Sequence, residues 1–165
     1  MNLKMALIIG APDEKIPGVN VDVRGLRDFF KSPIGGNWYD SEIKTLTSPT
    51  SSEIRKEIQI LKIMDYSLIF FAGHGYYSIE RKRTILQINS SETFDSLELR
   101  AGAPKHSLIL DCCRKLESER LHLRKSLEAM ALESASNQQL DPVQCRYYFD
   151  KEITDCEHGL IVMNS

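Results

Sequence analysis

A chain of 165 residues is long enough to bury a core and suits a single domain. Its 42% hydrophobic and 27% charged residues are the make-up of a folded globular protein and argue against a disordered one. A formal net charge of −2 gives no basic field for nucleic acid, and no apolar run approaches the ~20 residues that span a bilayer.

The apolar run Lys4 to Ala11 predicts a first strand, too short and too early for a signal peptide. Pro12, Pro17 and Gly18 mark a loop, and Val23, Leu26, Phe29 and Phe30 recur at helical spacing over Asp22 to Lys31. After a loop holding Pro33, Gly35 and Gly36, Glu42 to Leu46 predicts strand two. Ser51 or Ser52 is a suitable cap for a helix to about Met64, with Ile54, Ile58, Leu61 and Ile63 as its apolar set. Tyr66 to Phe71 predicts strand three, which runs out at Gly73-His74-Gly75. Arg83 to Ile88 is a short extended piece, half of a hairpin whose exposed turn holds Arg81-Lys82-Arg83, and Phe94 to Arg100 predicts a short helix. Ser107 to Asp111 is strand four. Residues 114 to 139 are charged and loosely spaced in leucine, either a helix or an insertion. Pro142 suits the first position of a helix capped by Asp141 and ending near His158-Gly159, and Leu160 to Met163 is strand five. Tyr147, Tyr148 and Phe149 are expected in a core or an interface.

Strands that alternate with helices imply an α/β domain with a mostly parallel sheet and helices on both faces. In such sheets, functional groups collect at the carboxyl ends of strands. His74 and Cys113 each follow an apolar run at such an end, so neighbouring strands would bring a base beside a thiol. The adjacent Cys112 and Cys113 point to opposite faces of a strand, which makes a poor disulfide pair. No C-x-x-C pair and no zinc-ligand spacing includes Cys112, Cys113, Cys145 or Cys156, so no metal is expected and reduced thiols in the cytoplasm are. Ala11-Pro12-Asp13 after strand one lacks the glycines of a phosphate-binding loop. Cys145, Cys156, His106, His122 and His158 show no partner pattern.

Ala72-Gly73-His74-Gly75 together with Asp111-Cys112-Cys113-Arg114 resembles the caspase-type cysteine peptidases of clan CD, the peptidase C14 group. Caspases carry Q-A-C-[RQG]-G about 50 residues after the histidine; here the interval is 113 − 74 = 39 positions. Alignment on the cysteine puts Asp111 at the Gln, Cys112 at the Ala and Cys113 at the nucleophile. Metacaspases have Asp-x-Cys there, so the chain resembles them and their bacterial relatives more closely. Lys115 replaces the final Gly, and Ala72 the Ser common before Gly-His-Gly in metacaspases. Gly18-Val19-Asn20-Val21-Asp22 is similar to the G-C-x-N-D stretch that follows strand one in metacaspases.

The resemblance implies a three-layer caspase-like sandwich over residues 1–165, a large-subunit-like portion that lacks the C-terminal small-subunit part. It implies a cysteine endopeptidase with His74 and Cys113 as catalytic dyad and the N–H groups of Gly75 and Cys113 as oxyanion hole. Asp22 and Asp111 would line the pocket for the residue before the cut bond, and two carboxylates there favour Arg or Lys. The segment 114–140 takes the place of the family's processing loop, and its Arg114-Lys115, Arg120 and Arg124-Lys125 are candidate self-cleavage sites. The expected partners are a protein or peptide substrate and a C-terminal segment or second chain that completes the cleft, with no nucleic acid and no membrane. No cofactor is expected; calcium enters through the resemblance alone, since no loop has calcium-binding spacing. The alternative is a catalytically silent caspase-like scaffold that acts through protein contacts.

Overall fold

The computed structural model describes residues 3–113 and 140–164. The candidate processing segment, with Arg114-Lys115, Arg120 and Arg124-Lys125, lies outside the described residues.

Five strands form a parallel sheet in the order β2-β1-β3-β6-β7. They are β1 (Lys4–Gly10), β2 (Ile43–Thr47), β3 (Tyr66–Ser78), β6 (Lys105–Cys113) and β7 (Gly159–Asn164). Central parallel strands are covered on both faces, which explains their continuous apolar runs in place of alternation. Helix α1 (Val19–Lys31) follows β1, and α2 (Ser51–Leu61) follows β2. The side chains of α2, Ile54, Ile58 and Leu61, pack on one face of the sheet with Leu7, Ile9, Ile69, Phe71, Leu108 and Leu110. Each such burial contributes about 2 kcal/mol. Val19, Val23 and Phe30 of α1 pack on the opposite face with Ala6, Ile8, Leu68, Phe70 and Ala72. Three layers result, as the sequence led one to expect.

The elements depart from expectation in several places. The cap of α2 is Thr50, because Thr50 and Glu53 form a reciprocal capping box: the Glu53 N–H donates to Thr50 Oγ1 (3.3 Å) and the Thr50 N–H to Glu53 Oε2 (2.8 Å). That helix ends at Leu61, which leaves Ile63 74% exposed and outside the apolar set. Phe94 to Arg100 is no helix. Phe94 is buried in the short strand β5 (Thr93–Asp95) opposite Leu86, and Asp95 accepts from the Leu97 N–H (3.0 Å) before a single 3-10 turn at Glu98–Arg100. Most consequential for the site, β3 does not stop at Phe71. It runs on to Ser78 and pairs antiparallel with β4 (Arg83–Gln87), which in turn pairs with β5.

Helix α3 (Pro142–Asp155) is capped by Asp141, which accepts from the Val143 N–H (2.9 Å), as predicted. It ends before His158 because Lys105 Nζ donates to the carbonyls of Ile153 and Thr154 (2.7 Å each) and closes its last turn. Phe149 packs against Trp38, whereas Tyr147 and Tyr148 are 64% and 62% exposed and belong to no core. Buried Lys4 pairs with Asp150 and lies over the Trp38 ring (4.7 Å). Arg146 grips Glu42 with two N–H groups (2.9 and 2.6 Å) and donates to the Asn37 carbonyl (3.0 Å).

Partial burial pushes the Glu42 carboxyl up, but Arg146, the Tyr39 N–H and Lys4 outweigh it and hold it below the ordinary value. A carboxyl lowered in the fold stabilises fully above its unfolded value and loses that contribution as pH falls through the folded one. Docking of α3 therefore weakens in acid, below the ordinary glutamate value of about 4.3. Arg146→Met is expected to lower stability by about 2–3 kcal/mol at neutral pH, because it removes the two-pronged hydrogen-bonded partner of the largely buried Glu42 carboxylate and leaves only the more distant charge of Lys4. Urea unfolding followed through the single tryptophan checks this; a loss under about 1 kcal/mol would show the pair to be worth no more than a surface one.

Candidate active site

The parallel sheet has a topological switch between β1 and β3. From β1 the chain crosses by α1 to β2 on one side, then returns by α2 to β3 on the other. In open α/β sheets, the carboxyl ends of the strands at such a switch are the usual ligand position. The loop after β1 holds Asp13, and β3 carries His74 at the corresponding end. The Ala11 N–H donates to the Ala72 carbonyl (2.8 Å) and ties the loop to β3.

His74 is the last residue of β3 within the parallel sheet, and its partner in register on β6 is Cys113. Gly75, the next residue, is the first of β3 in the antiparallel hairpin, opposite Leu86. The sequence placed His74 where strand three runs out; it lies instead inside a continuous strand, at the change from parallel to antiparallel pairing. Gly73 and Gly75 are therefore not strand breakers. A Cβ on Gly75 would lie 2.9 Å from both Cβ and Sγ of Cys112, and one on Gly73 would lie 2.9 Å from the Phe71 ring and 3.0 Å from Ala11. Cys112 is buried under Gly75 as part of the core.

The two carboxylates predicted for a pocket occupy different surroundings. Asp111 is half-buried in β6, in register with Ala72. Asp22 is exposed in the first turn of α1, whose cap position is Gly18.

Sequence reasoning missed Asp13, which it used only to dismiss a phosphate loop. Asp13 Oδ2 is 3.0 Å from His74 Nε2, and both side chains are about one-third exposed, at 39% and 32%. Its other oxygen, Oδ1, accepts from the N–H groups of Lys15 (2.8 Å) and Ile16 (3.0 Å). Partial desolvation pushes the Asp13 carboxyl up, but those two N–H groups and the His74 ring outweigh it and hold it below the ordinary aspartate range. An aspartate two residues past the end of a strand, followed by amides it can accept from, is the available sequence signal.

His106 is buried at the opposite end of β6. Its Nε2 meets the Leu99 carbonyl (2.9 Å) and its Nδ1 the Ser67 hydroxyl (2.7 Å), which in turn accepts from the Ala103 N–H (2.9 Å). This ring is fully partnered and structural. A cleft lined by Lys62, Arg100, His106 and Leu160 opens at that same end, seven residues of strand, about 23 Å, from Cys113. Among the described residues, Cys112, Cys145 and Cys156 form no disulfide, no group of three or more His, Cys, Asp or Glu could hold a metal, and no helix is long and apolar enough to cross a membrane.

One family model decides the matter: the caspase domain of peptidase C14 matches residues 3–154. The chain belongs to the caspase-domain family. Its fold is the caspase-like α/β sandwich. Among solved structures, this caspase domain is similar to the Drosophila initiator caspase Dronc at 17% identity and a TM-score of 0.46, over 66% of this chain and 46% of that one. The chain thus spans less than half the length of that relative. No curated protein sequence matches it.

Proposed function

We propose that this caspase domain is a cysteine endopeptidase in which Cys113 is the nucleophile and His74 the base. The observation that carries the reading is the register of His74 with Cys113 on adjacent parallel strands, at the edge where α/β sheets bind ligands. The Cys113 thiolate attacks the scissile carbonyl carbon while His74 holds the thiol proton. The oxyanion that forms is held by the N–H groups of Cys113 and Gly75. Collapse breaks the C–N bond, His74 protonates the departing amine, and a thioester remains. Water, deprotonated by His74, then attacks the thioester and releases the acid and the thiol. These steps need no cofactor.

Asp111 and Asp22 make the pocket acidic in this reading, which favours Arg or Lys before the cut bond. The same basic residues in the 114–140 segment would then be substrates for self-processing in the cytoplasm. A further segment, from this protein or a partner, would complete the cleft beside β7, whose exposed Leu160, Ile161 and Met163 support that placement.

Fluorogenic peptides ending in Arg, Lys or Asp test the specificity. Turnover after Arg and Lys is expected, falling about 10- to 100-fold in Asp111→Ala for the loss of one charge-assisted contact. Turnover after Asp would keep the peptidase and discard the acidic pocket. No turnover with any peptide, under reducing conditions and with calcium supplied, would favour the scaffold.

A further inference from the structure

We propose that Asp13 is the positioning residue of the site: its carboxylate accepts the Nε2–H of His74 and so leaves Nδ1 as the ring nitrogen that serves the Cys113 thiol. The inference rests on the peptidase reading for its catalytic consequence, but not for the pairing itself.

Asp13 is fixed independently of His74. Its Oδ1 is occupied by the N–H groups of Lys15 and Ile16, and Ile16 is buried, so Oδ2 faces the ring from an anchored turn. A neutral imidazole has one N–H and one lone pair, and whichever nitrogen donates determines which one is basic. An acceptor-only group on Nε2 places the proton there. A negative charge at that position also stabilises the imidazolium that exists while the ring holds the thiol proton, as in nucleophile–base–orienter triads. The low-lying carboxyl of Asp13 means that it is anionic throughout the neutral range.

Asparagine makes a sharp test because it is nearly isosteric. Its carbonyl oxygen can still accept from Lys15 and Ile16, which turns its amide N–H₂ toward Nε2. The ring must then accept at Nε2 and carry its proton on Nδ1. In the full chain, nitrogen-15 spectra of the imidazoles are expected to show the Nε2–H tautomer of His74 in the wild type and the Nδ1–H tautomer in Asp13→Asn. His106, held by Ser67 and Leu99, should not change and reports that the fold is intact. With a basic fluorogenic peptide, Asp13→Asn is expected to lower kcat about 10²- to 10⁴-fold, because a base held in the wrong tautomer cannot take the thiol proton, with KM unchanged. Asp13→Glu, which keeps an acceptor-only carboxylate, should restore both the tautomer and most of kcat.

An unchanged His74 tautomer in Asp13→Asn would overturn the positioning role, and so would an unchanged kcat in a variant that cleaves peptide. A tautomer that switches in a chain that cleaves no peptide would instead uphold the pairing and sink the peptidase reading.

Discussion

Replacement of Cys113 by alanine is expected to remove hydrolysis of every peptide, a loss of roughly 10⁴-fold or more in kcat, because no other group in the proposed site can form the acyl intermediate. The informative comparison is Cys112→Ala. Cys112 is buried in the core beneath Gly75, so its truncation should cost about 1 kcal/mol of stability and leave kcat within a few-fold. Two adjacent thiols therefore separate into one measured by activity and one measured by unfolding. If Cys112→Ala abolished turnover and Cys113→Ala did not, the register of His74 with Cys113 would not define the site. If both variants kept full activity, the nucleophile would be neither of these thiols.

The second large effect concerns stability. Gly35→Ala is expected to destabilise the domain by about 3 kcal/mol or more, the upper end for overpacking. After α1 the chain folds back sharply. The Gly35 N–H donates to Ser32 Oγ (3.2 Å), that hydroxyl donates to the Phe29 carbonyl (2.6 Å), and the Trp38 N–H donates to the Phe30 carbonyl (2.9 Å). A Cβ on Gly35 would lie 1.9 Å from the Phe29 carbonyl oxygen and 2.8 Å from the Phe30 Cα. These are backbone atoms at the end of a helix and cannot swing aside as a side chain can. The turn must open, and Trp38 then leaves its place between Phe30 and Phe149. Urea unfolding followed by the fluorescence of Trp38 measures the loss. A midpoint equal to that of wild type would mean that the turn tolerates a side chain.

The order of strands and helices was legible in the sequence because it rests on local signals. Apolar runs marked β1, β3 and β6, helical spacing marked α1 and α2, and Asp141-Pro142 marked the start of α3. The pairing of His74 with Cys113 was also foreseeable, since parallel strands align their carboxyl ends. Other features depend on contacts between distant residues. Gly73 and Gly75 read as breaks, yet they permit close packing on Phe71, Ala11 and Cys112. Phe94 fits a helix by composition, but pairing with Leu86 places it in a strand. Ser51 and Ser52 were plausible caps until the reciprocal bonds of Thr50 and Glu53 took that role. Asp13 escaped notice because the return of β3 alongside the loop after β1 has no local sign. Asp22 and Asp111 were proposed through resemblance; one is exposed on a helix and the other half-buried in a strand.

The unbroken course of β3 has a bearing on how little the site must rearrange. The backbone at His74 is held in the parallel ladder to β6, and from the next residue, Gly75, the strand continues in the antiparallel ladder to β4. A histidine on a free loop would lose about 1–2 kcal/mol of backbone entropy per residue when a bound peptide ordered it. Here that disorder is removed when the chain folds, before any peptide arrives. The proposed base is preorganised, and binding energy from the rest of a substrate remains for alignment of the scissile bond.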